Sequence, residues 1–394
     1  MAHAHRSSGK RTGTCKLCCP GWNHQTRAAL ERLIDHGAGR NLPVVFDFDN
    51  TLVCGDLQEA TLAVLARDGM LTAKRLPATL SPPFRLPGQK RITIESTADI
   101  TEYYEAFLAA TAHGDRDPAP LATGYAWAIE VLVDLRVSDI VAATRTVCET
   151  LHPPQPGYIQ VAPGRARFAV PFFYPEMVEL VAELIRHRFD LWVVSGTNVW
   201  GVRWMVLHEL NPQLRRHGVR TGLRADHIIG VSTLLTDRHD HLFKDALLVR
   251  ENPRYAALDE KVCRQFRLTS RLQYPVPTYS GKVACIFDAI GRPPYLCVGD
   301  SPGDHAMMAF SQNRLWIARL DKTGFQHKTA LLIRETGHAG WLLQATLTKG
   351  KPGFIADHDA TSPRLASVPP DVRAASGAVS ALSRRLQSKT WQAH

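Results

Sequence analysis

The sequence predicts an α/β protein: a Rossmann-like three-layer core around a parallel sheet, with a helical cap inserted after the first core strand. Three observations lead there. Short apolar runs, Val44–Phe46, Leu191–Val194, Tyr295–Val298 and Leu315–Ala318, have the length and β-branched content of buried parallel strands. Amphipathic helical patterns alternate with the later runs. More than one hundred mostly helical residues separate the first run from the next α/β unit, which is too long for a crossover and reads as a small domain of its own.

With 394 residues, 45% hydrophobic and 21% charged, the chain can bury a large core. It has no run of eighteen apolar residues and no signal-peptide-like start, so a cytoplasmic protein without a membrane span is expected. The formal net charge of +10 sits in the ends: residues 1–40 carry seven Lys/Arg against two Asp/Glu, and residues 348–394 seven against three. The body between them is close to neutral, so no nucleic-acid-binding face is indicated. Eight cysteines show no paired spacing through the body and imply no disulfides.

Along the chain, residues 1–20 read as a disordered basic tail. It holds Cys15, Cys18 and Cys19 with His3 and His5, the makings of a zinc site, but no second CxxC follows at finger-like spacing. A helix is expected over Thr26–His36, with Gly37 as its cap. After the first strand, Asp56 opens a helix in a capping-box-like pattern and Gly69 closes it. Residues 77–93 read as loop, and further helices are expected over Ile100–Thr111, Tyr125–Leu135 and Ser138–Thr150. Pro175 starts a helix carrying Met177, Val178, Val181, Leu184 and Ile185. Ile228–Leu235 and Leu242–Val249 flank a turn at 236–240 and predict a hairpin. Gly281-Lys282 opens a helix through Ile290, and Leu315–Ala318 is expected to be the last core strand. The domain division is therefore 21–55 and 170–347 for the core, 56–169 for the cap, and 348–394, rich in Ser, Pro and Ala, for a disordered tail.

Three predicted strands end in polar clusters: Asp47/Asp49/Thr51, Ser195/Gly196/Thr197 and Asp300/Ser301/Asp304. Lys282 opens the helix before the third. The carboxyl ends of parallel strands share one face, so these clusters can converge on one pocket. Four aspartates together call for a hard cation, and carboxylates with water suit Mg²⁺. A metal, a lysine and hydroxyls are what a transferring phosphoryl group requires.

These residues resemble the four motifs of the haloacid dehalogenase-like phosphohydrolase superfamily, in order: DxDxT at Asp47-Phe-Asp49-Asn-Thr51, the hydroxyl motif at Ser195-Gly196-Thr197, the lysine at Lys282, and GDxxxD at Gly299-Asp300-Ser-Pro-Gly-Asp304. The resemblance is closer to the phosphorylcholine phosphatase and phosphoserine phosphatase-like group, where Ile228–Leu235 is the more telling stretch. It implies that Asp47 attacks phosphorus to form an aspartyl-phosphate and that Asp49 serves as general acid, then base. Ser195 and the Gly196 amide would hold the phosphoryl oxygens with Thr51 in the same phosphate-binding set, and Lys282 would offset negative charge. Asp47, the Asp49 carbonyl, Asp300 and Asp304 would hold or orient Mg²⁺. The implied substrate is a small phosphorylated metabolite, phosphorylcholine or a related amino-alcohol phosphate, with Glu59, Tyr103, Tyr104 and Trp127 as candidate leaving-group contacts. Gln58 departs from the group's pattern, standing where a carboxylate pair is expected. A phosphoserine-type phosphatase, a phosphotransferase and a non-catalytic phosphate-binding protein stay open as alternatives; the oligomeric state is not readable.

Overall fold

Seven strands form the main sheet of the computed structural model, which describes residues 14–86, 88, 90–112, 124–150, 157–356, 365–366 and 368–388. They are β1 (Pro43–Phe46), β2 (Asp190–Asn198), β3 (Ile228–Val231), β4 (Leu296–Gly299), β5 (Asn313–Arg319), β6 (Trp341–Leu347) and β7 (Gly353–Phe354). Their order is β7-β6-β5-β4-β1-β2-β3, and every neighbouring pair is parallel except β6 with β7. The chain builds outward from β1 to β3 on one side, then from β4 to β6 on the other. The order thus reverses between β1 and β4, the position at which open α/β sheets bind ligands.

Alternation along each strand fills two faces. Val44 and Phe46 of β1 pack with Leu30, Leu33 and Ile34 of the helix His24–Gly37 and with Met177, Leu180 and Leu184 of the helix Pro175–Arg186. Val45 faces the other way, into a core with Cys285, Ile286, Trp316 and Ile333. Helices therefore cover both faces of the sheet, the predicted three-layer arrangement. The Asp56 cap is present, its carboxylate accepting the Glu59 amide at 3.0 Å ahead of the helix Leu57–Arg67.

Between β1 and β2 stand the helices Leu57–Arg67, Ile100–Ala112, Gly124–Glu130 and Val137–Glu149. The connections into and out of this insertion pair side by side, Val53–Cys54 antiparallel to Phe172–Phe173. A second excursion, between β3 and β4, carries a small sheet of Thr233–Thr236, Leu242–Phe243 and Arg267–Leu272. The two excursions are stitched together by backbone: Asp134 N–H donates to the Leu268 carbonyl at 2.9 Å, Leu268 N–H to Leu135 at 2.8 Å, and Val137 N–H to Phe266 at 3.0 Å.

Four expectations are corrected. The hairpin predicted over 228–249 has only Leu242–Phe243 as its returning strand, and Asp245–Glu251 is helical, because Asp245 is drawn inward to pair with buried Arg203. Leu315–Ala318 is not the last strand, since β6, buried along its whole length, lies beyond it. Within the expected N-terminal tail, Cys15 and Leu17 are buried, and Cys18 and Cys19 donate their amides to Glu179. His3 and His5 lie outside the described residues, and the three cysteines belong to no metal-ligand cluster among those described. In the expected C-terminal tail, Pro370–Ser388 forms a helix whose Val372, Ala375 and Val379 recur at helical spacing and pack on the sheet face that holds Trp341. No helix among the described residues is long and apolar enough to cross a membrane.

Candidate active site

Immediately after β1 the backbone folds into a tight loop: the Phe48 carbonyl accepts the amides of Thr51, Leu52 and Val53, and Asn50 takes a left-handed φ of 56° that asparagine tolerates. The Asp47 amide still continues the ladder, donating to the Val298 carbonyl at 2.9 Å. Two glycines set the other motifs in place. A Cβ on Gly281 would stand 1.9 Å from the Val276 carbonyl oxygen, so only glycine lets the helix Ser280–Ile290 start where Lys282 reaches inward. A Cβ on Gly299 would come within 2.8 Å of the Asp304 carboxylate.

The four motifs converge at the switch point. Lys282 Nζ donates to Asp47 Oδ1 at 2.7 Å and to Asp304 Oδ1 at 2.6 Å. Asp304 Oδ2 accepts the amides of Asp300 and Ser301, both at 3.1 Å, which folds the GDxxxD loop around it. Thr51 donates its hydroxyl to Asp300 Oδ1 at 3.0 Å. Ser195 is fully buried and its Oγ accepts the Thr197 amide at 3.1 Å. Asp47, Asp300 and Asp304 each offer an oxygen within 4.8 Å of the others, a set of hard donors suited in type to Mg²⁺.

Asp49 is held apart from that cluster. Its Oδ1 accepts the Leu57 amide at 2.7 Å, and its Oδ2 accepts the Thr197 hydroxyl. The side chain therefore faces the insertion, which leaves only its carbonyl for the metal role that the resemblance implies.

The electrostatics match a centre short of positive charge. Burial raises the pKa of Asp47 well above the carboxylate range, Asp304 adds to the effect, and Lys282 opposes it. Burial, then Asp56, raises Asp49, while the Leu57 amide and the Thr197 hydroxyl hold it down. Asp300 is pushed up to about 6 by burial against the pull of Arg319. Burial disfavours the charge on Lys282, but its two carboxylates outweigh that and raise its pKa. A divalent cation would relieve the excess of carboxylates.

A cavity of about 630 Å³ opens over this centre, lined by Asp47, Asp49, Gly196, Lys282 and Asp300 and, on the insertion side, by Asp56 and Glu59. Of the predicted leaving-group contacts only Glu59 reaches it. Tyr103, Tyr104 and Trp127 instead form the insertion's own core: Trp127 lies 5.3 Å from Tyr103 and 5.9 Å from Tyr104, Tyr103 donates to the Pro82 carbonyl, and Trp127 to that of Leu80. The polar tips of Tyr103 and Trp127 are used inside the insertion, and the Tyr104 side chain is buried beside them. The aromatic lining comes from Tyr125, Tyr158, Phe168, Tyr279 and Phe325. Gln58 spans the boundary, accepting from Asn198 at 2.8 Å and donating to the Ala128 carbonyl at 3.2 Å.

Two site residues went unassigned in the sequence reading. Thr197 was visible in the hydroxyl motif but had no role there; it holds Asp49. Arg319 ends β5 and donates Nη1 to Asp300 Oδ2 at 2.9 Å. Its signal was the same as for the other motifs, a charged residue directly after a predicted strand.

No family model matches the sequence. The chain is 25% identical over 316 residues to a phosphorylcholine phosphatase of Pseudomonas aeruginosa, covering 76% of this chain and 81% of that one. Its fold is similar to a conserved protein of unknown function from Anaerococcus prevotii, with a TM-score of 0.56, 16% identity, and coverage of 85% of this chain and 96% of the other. A phosphoserine phosphatase carrying a phospho-aspartyl intermediate analogue aligns with a TM-score of 0.35 and 13% identity, over 70% of this chain and 86% of that one. The four motifs in order, the mostly parallel α/β fold and the similarity to a phosphatase agree with the resemblance to the haloacid dehalogenase-like phosphohydrolases.

Proposed function

We propose that the protein is a Mg²⁺-dependent phosphomonoesterase that hydrolyses a small organic phosphate through an aspartyl-phosphate on Asp47. The observation that carries this reading is the separation of the two carboxylates at the end of β1. Asp47 is in the charged cluster against Lys282, and Asp49 is turned away onto an amide and a hydroxyl. Two carboxylates in different surroundings can divide nucleophile from acid/base. Asp47 attacks phosphorus as the ester P–O bond breaks, and Asp49 gives its proton to the departing alkoxide. Asp49 then takes a proton from water, which attacks phosphorus and breaks the bond to Asp47, releasing phosphate.

Ser195 and the Gly196 amide serve the phosphoryl oxygens, and Lys282 keeps Asp47 approachable by a dianion. Asp47, Asp300 and the Asp49 carbonyl, with Asp304 orienting the set, would hold Mg²⁺, which would supply positive charge against those oxygens. Residues 56–169 act as the cap that chooses the leaving group. Glu59 supports an amino-alcohol phosphate such as phosphorylcholine, since a cationic leaving group would stabilise a carboxylate that burial, together with Asp56 and Glu105, pushes up to about 8. The substrate named for the Pseudomonas relative agrees.

A phosphate-release screen over phosphorylcholine, phosphoserine and a generic aryl phosphate tests the proposal. Release should require Mg²⁺ and vanish in Asp47→Asn. Thermal stabilisation by these compounds without any release would instead indicate a binding protein.

A further inference from the structure

The cluster at the switch point is completed by a cation that none of the four motifs contains. Asp300 has both carboxylate oxygens engaged, Oδ1 by the Thr51 hydroxyl at 3.0 Å and Oδ2 by Arg319 Nη1 at 2.9 Å. Arg319 is the last residue of β5, beside the strand that delivers Asp300. Its side chain is 13% exposed, its backbone carbonyl accepts from Gln326 Nε2 at 2.8 Å, and its guanidinium lies 5.9 Å from the Phe325 ring centre. Among the described residues its buried Nε has no hydrogen-bond partner, so the ion pair with Asp300 is its chief polar anchor.

Two cations thus flank three carboxylates: Lys282 lies between Asp47 and Asp304, and Arg319 lies on the far oxygen of Asp300. A carboxylate held at one oxygen by an arginine cannot swing freely, and its remaining lone pairs are aimed by that restraint. Arginine suits this place because its charge survives burial, where a lysine could lose its proton. The guanidinium also lines the cavity that contains Glu59 and Asp56.

We propose that Arg319 is a positioning residue for the cation site: it fixes the Asp300 carboxylate so that Asp300, with Asp47, presents oxygens to Mg²⁺. The assignment rests on the cation reading given above. Two physical effects of Arg319 have opposite signs on metal affinity. Its positive charge repels Mg²⁺, so removing charge alone would tighten binding. Its hold on Asp300 orders a ligand, so losing that hold would weaken binding. Positioning predicts that the second effect is the larger.

Calorimetric titration of Mg²⁺ into the full chain without substrate decides this, using wild type, Arg319→Gln and Arg319→Lys. We expect Arg319→Gln to melt cooperatively and to bind Mg²⁺ about 10-fold or more weakly, with Arg319→Lys in between. A merely structural role would lower Tm and leave the Mg²⁺ Kd in place. An unchanged or tighter Kd in folded Arg319→Gln would overturn the proposal. If the Gln variant does not fold, the Lys variant decides alone: a several-fold weaker Kd supports positioning, and an unchanged one overturns it. Wild type that binds no Mg²⁺ would overturn the cation reading and this assignment together, an outcome distinct from binding that ignores residue 319.

Discussion

The Lys282 ammonium stands between the carboxylates of Asp47 and Asp304, 2.7 Å from one and 2.6 Å from the other. This lysine ties the proposed nucleophile, Asp47, to the GDxxxD loop, so its loss should affect both stability and turnover. Lys282→Met leaves buried carboxylates uncompensated, at a cost of about 3–5 kcal/mol in stability. It should also lower kcat by about 10²-fold or more through lost charge stabilisation. Denaturant unfolding and phosphate release on the same preparation measure the two effects.

Thr197 donates its hydroxyl directly to Asp49, the proposed acid/base. Thr197→Val keeps the shape and removes the hydroxyl, so Asp49 should lose its orientation. We expect kcat to fall about 10-fold, less than the roughly 10²–10⁴-fold that loss of the acid/base itself would cost, with KM nearly unchanged and with recovery in Thr197→Ser. A fall in KM-dependent binding instead would assign Thr197 to the substrate.

Glu59 gives a pH signature. Its pKa in the folded protein is about 8, above the ordinary value of 4.5. A carboxyl raised on folding binds more protons folded than unfolded, so its contribution to stability is lost as pH rises between those values. Below 4.5 the penalty is absent, and above 8 it is complete. Glu59→Gln should therefore match wild type in Tm near the acid end and exceed it by about 2 °C or more above pH 8. Thermal melts in metal-free buffer across that range check it.

Trp127 and the two tyrosines against it, Tyr104 stacked and Tyr103 tilted, belong to the insertion core. Trp127→Ala should cost about 3–5 kcal/mol in stability. The milder Tyr103→Phe, which loses only the bond to the Pro82 carbonyl, should leave the ratio of kcat/KM for phosphorylcholine over an aryl phosphate unchanged. A shifted ratio in Tyr103→Phe would return that face to the substrate wall.

The core strands and motif positions were legible because both signals are local. An apolar run marks a buried strand, and the polar group after it falls on the shared face of a parallel sheet. Asp47 and Asp300 reach the site for that reason, whereas Lys282 comes in from the start of a helix that Gly281 lets pack close. Which way a side chain points within the insertion was not legible, because Tyr103, Tyr125 and Trp127 all sit on helices whose inward faces depend on the loop at 77–93 that they cover. The bond from Trp127 to the Leu80 carbonyl is such a case. The helix Pro370–Ser388 was hidden by composition: its small residues lower the mean hydropathy while a narrow stripe of Val372, Ala375 and Val379 packs against the sheet. Leu242 to Val249 misled in the opposite sense, since a stretch that reads as strand is helical from Asp245 onward, around a buried Arg203–Asp245 pair.

The central claim is covalent chemistry at Asp47, and acid-quench trapping addresses it most directly. Protein mixed with a turning-over aryl phosphate and Mg²⁺, quenched in acid and digested, should carry a phosphoryl group on the peptide containing Asp47. That label should be lost on chelation of Mg²⁺ and in Asp47→Asn. Steady phosphate release without a label on that peptide, or full activity in Asp47→Asn, would contradict the account.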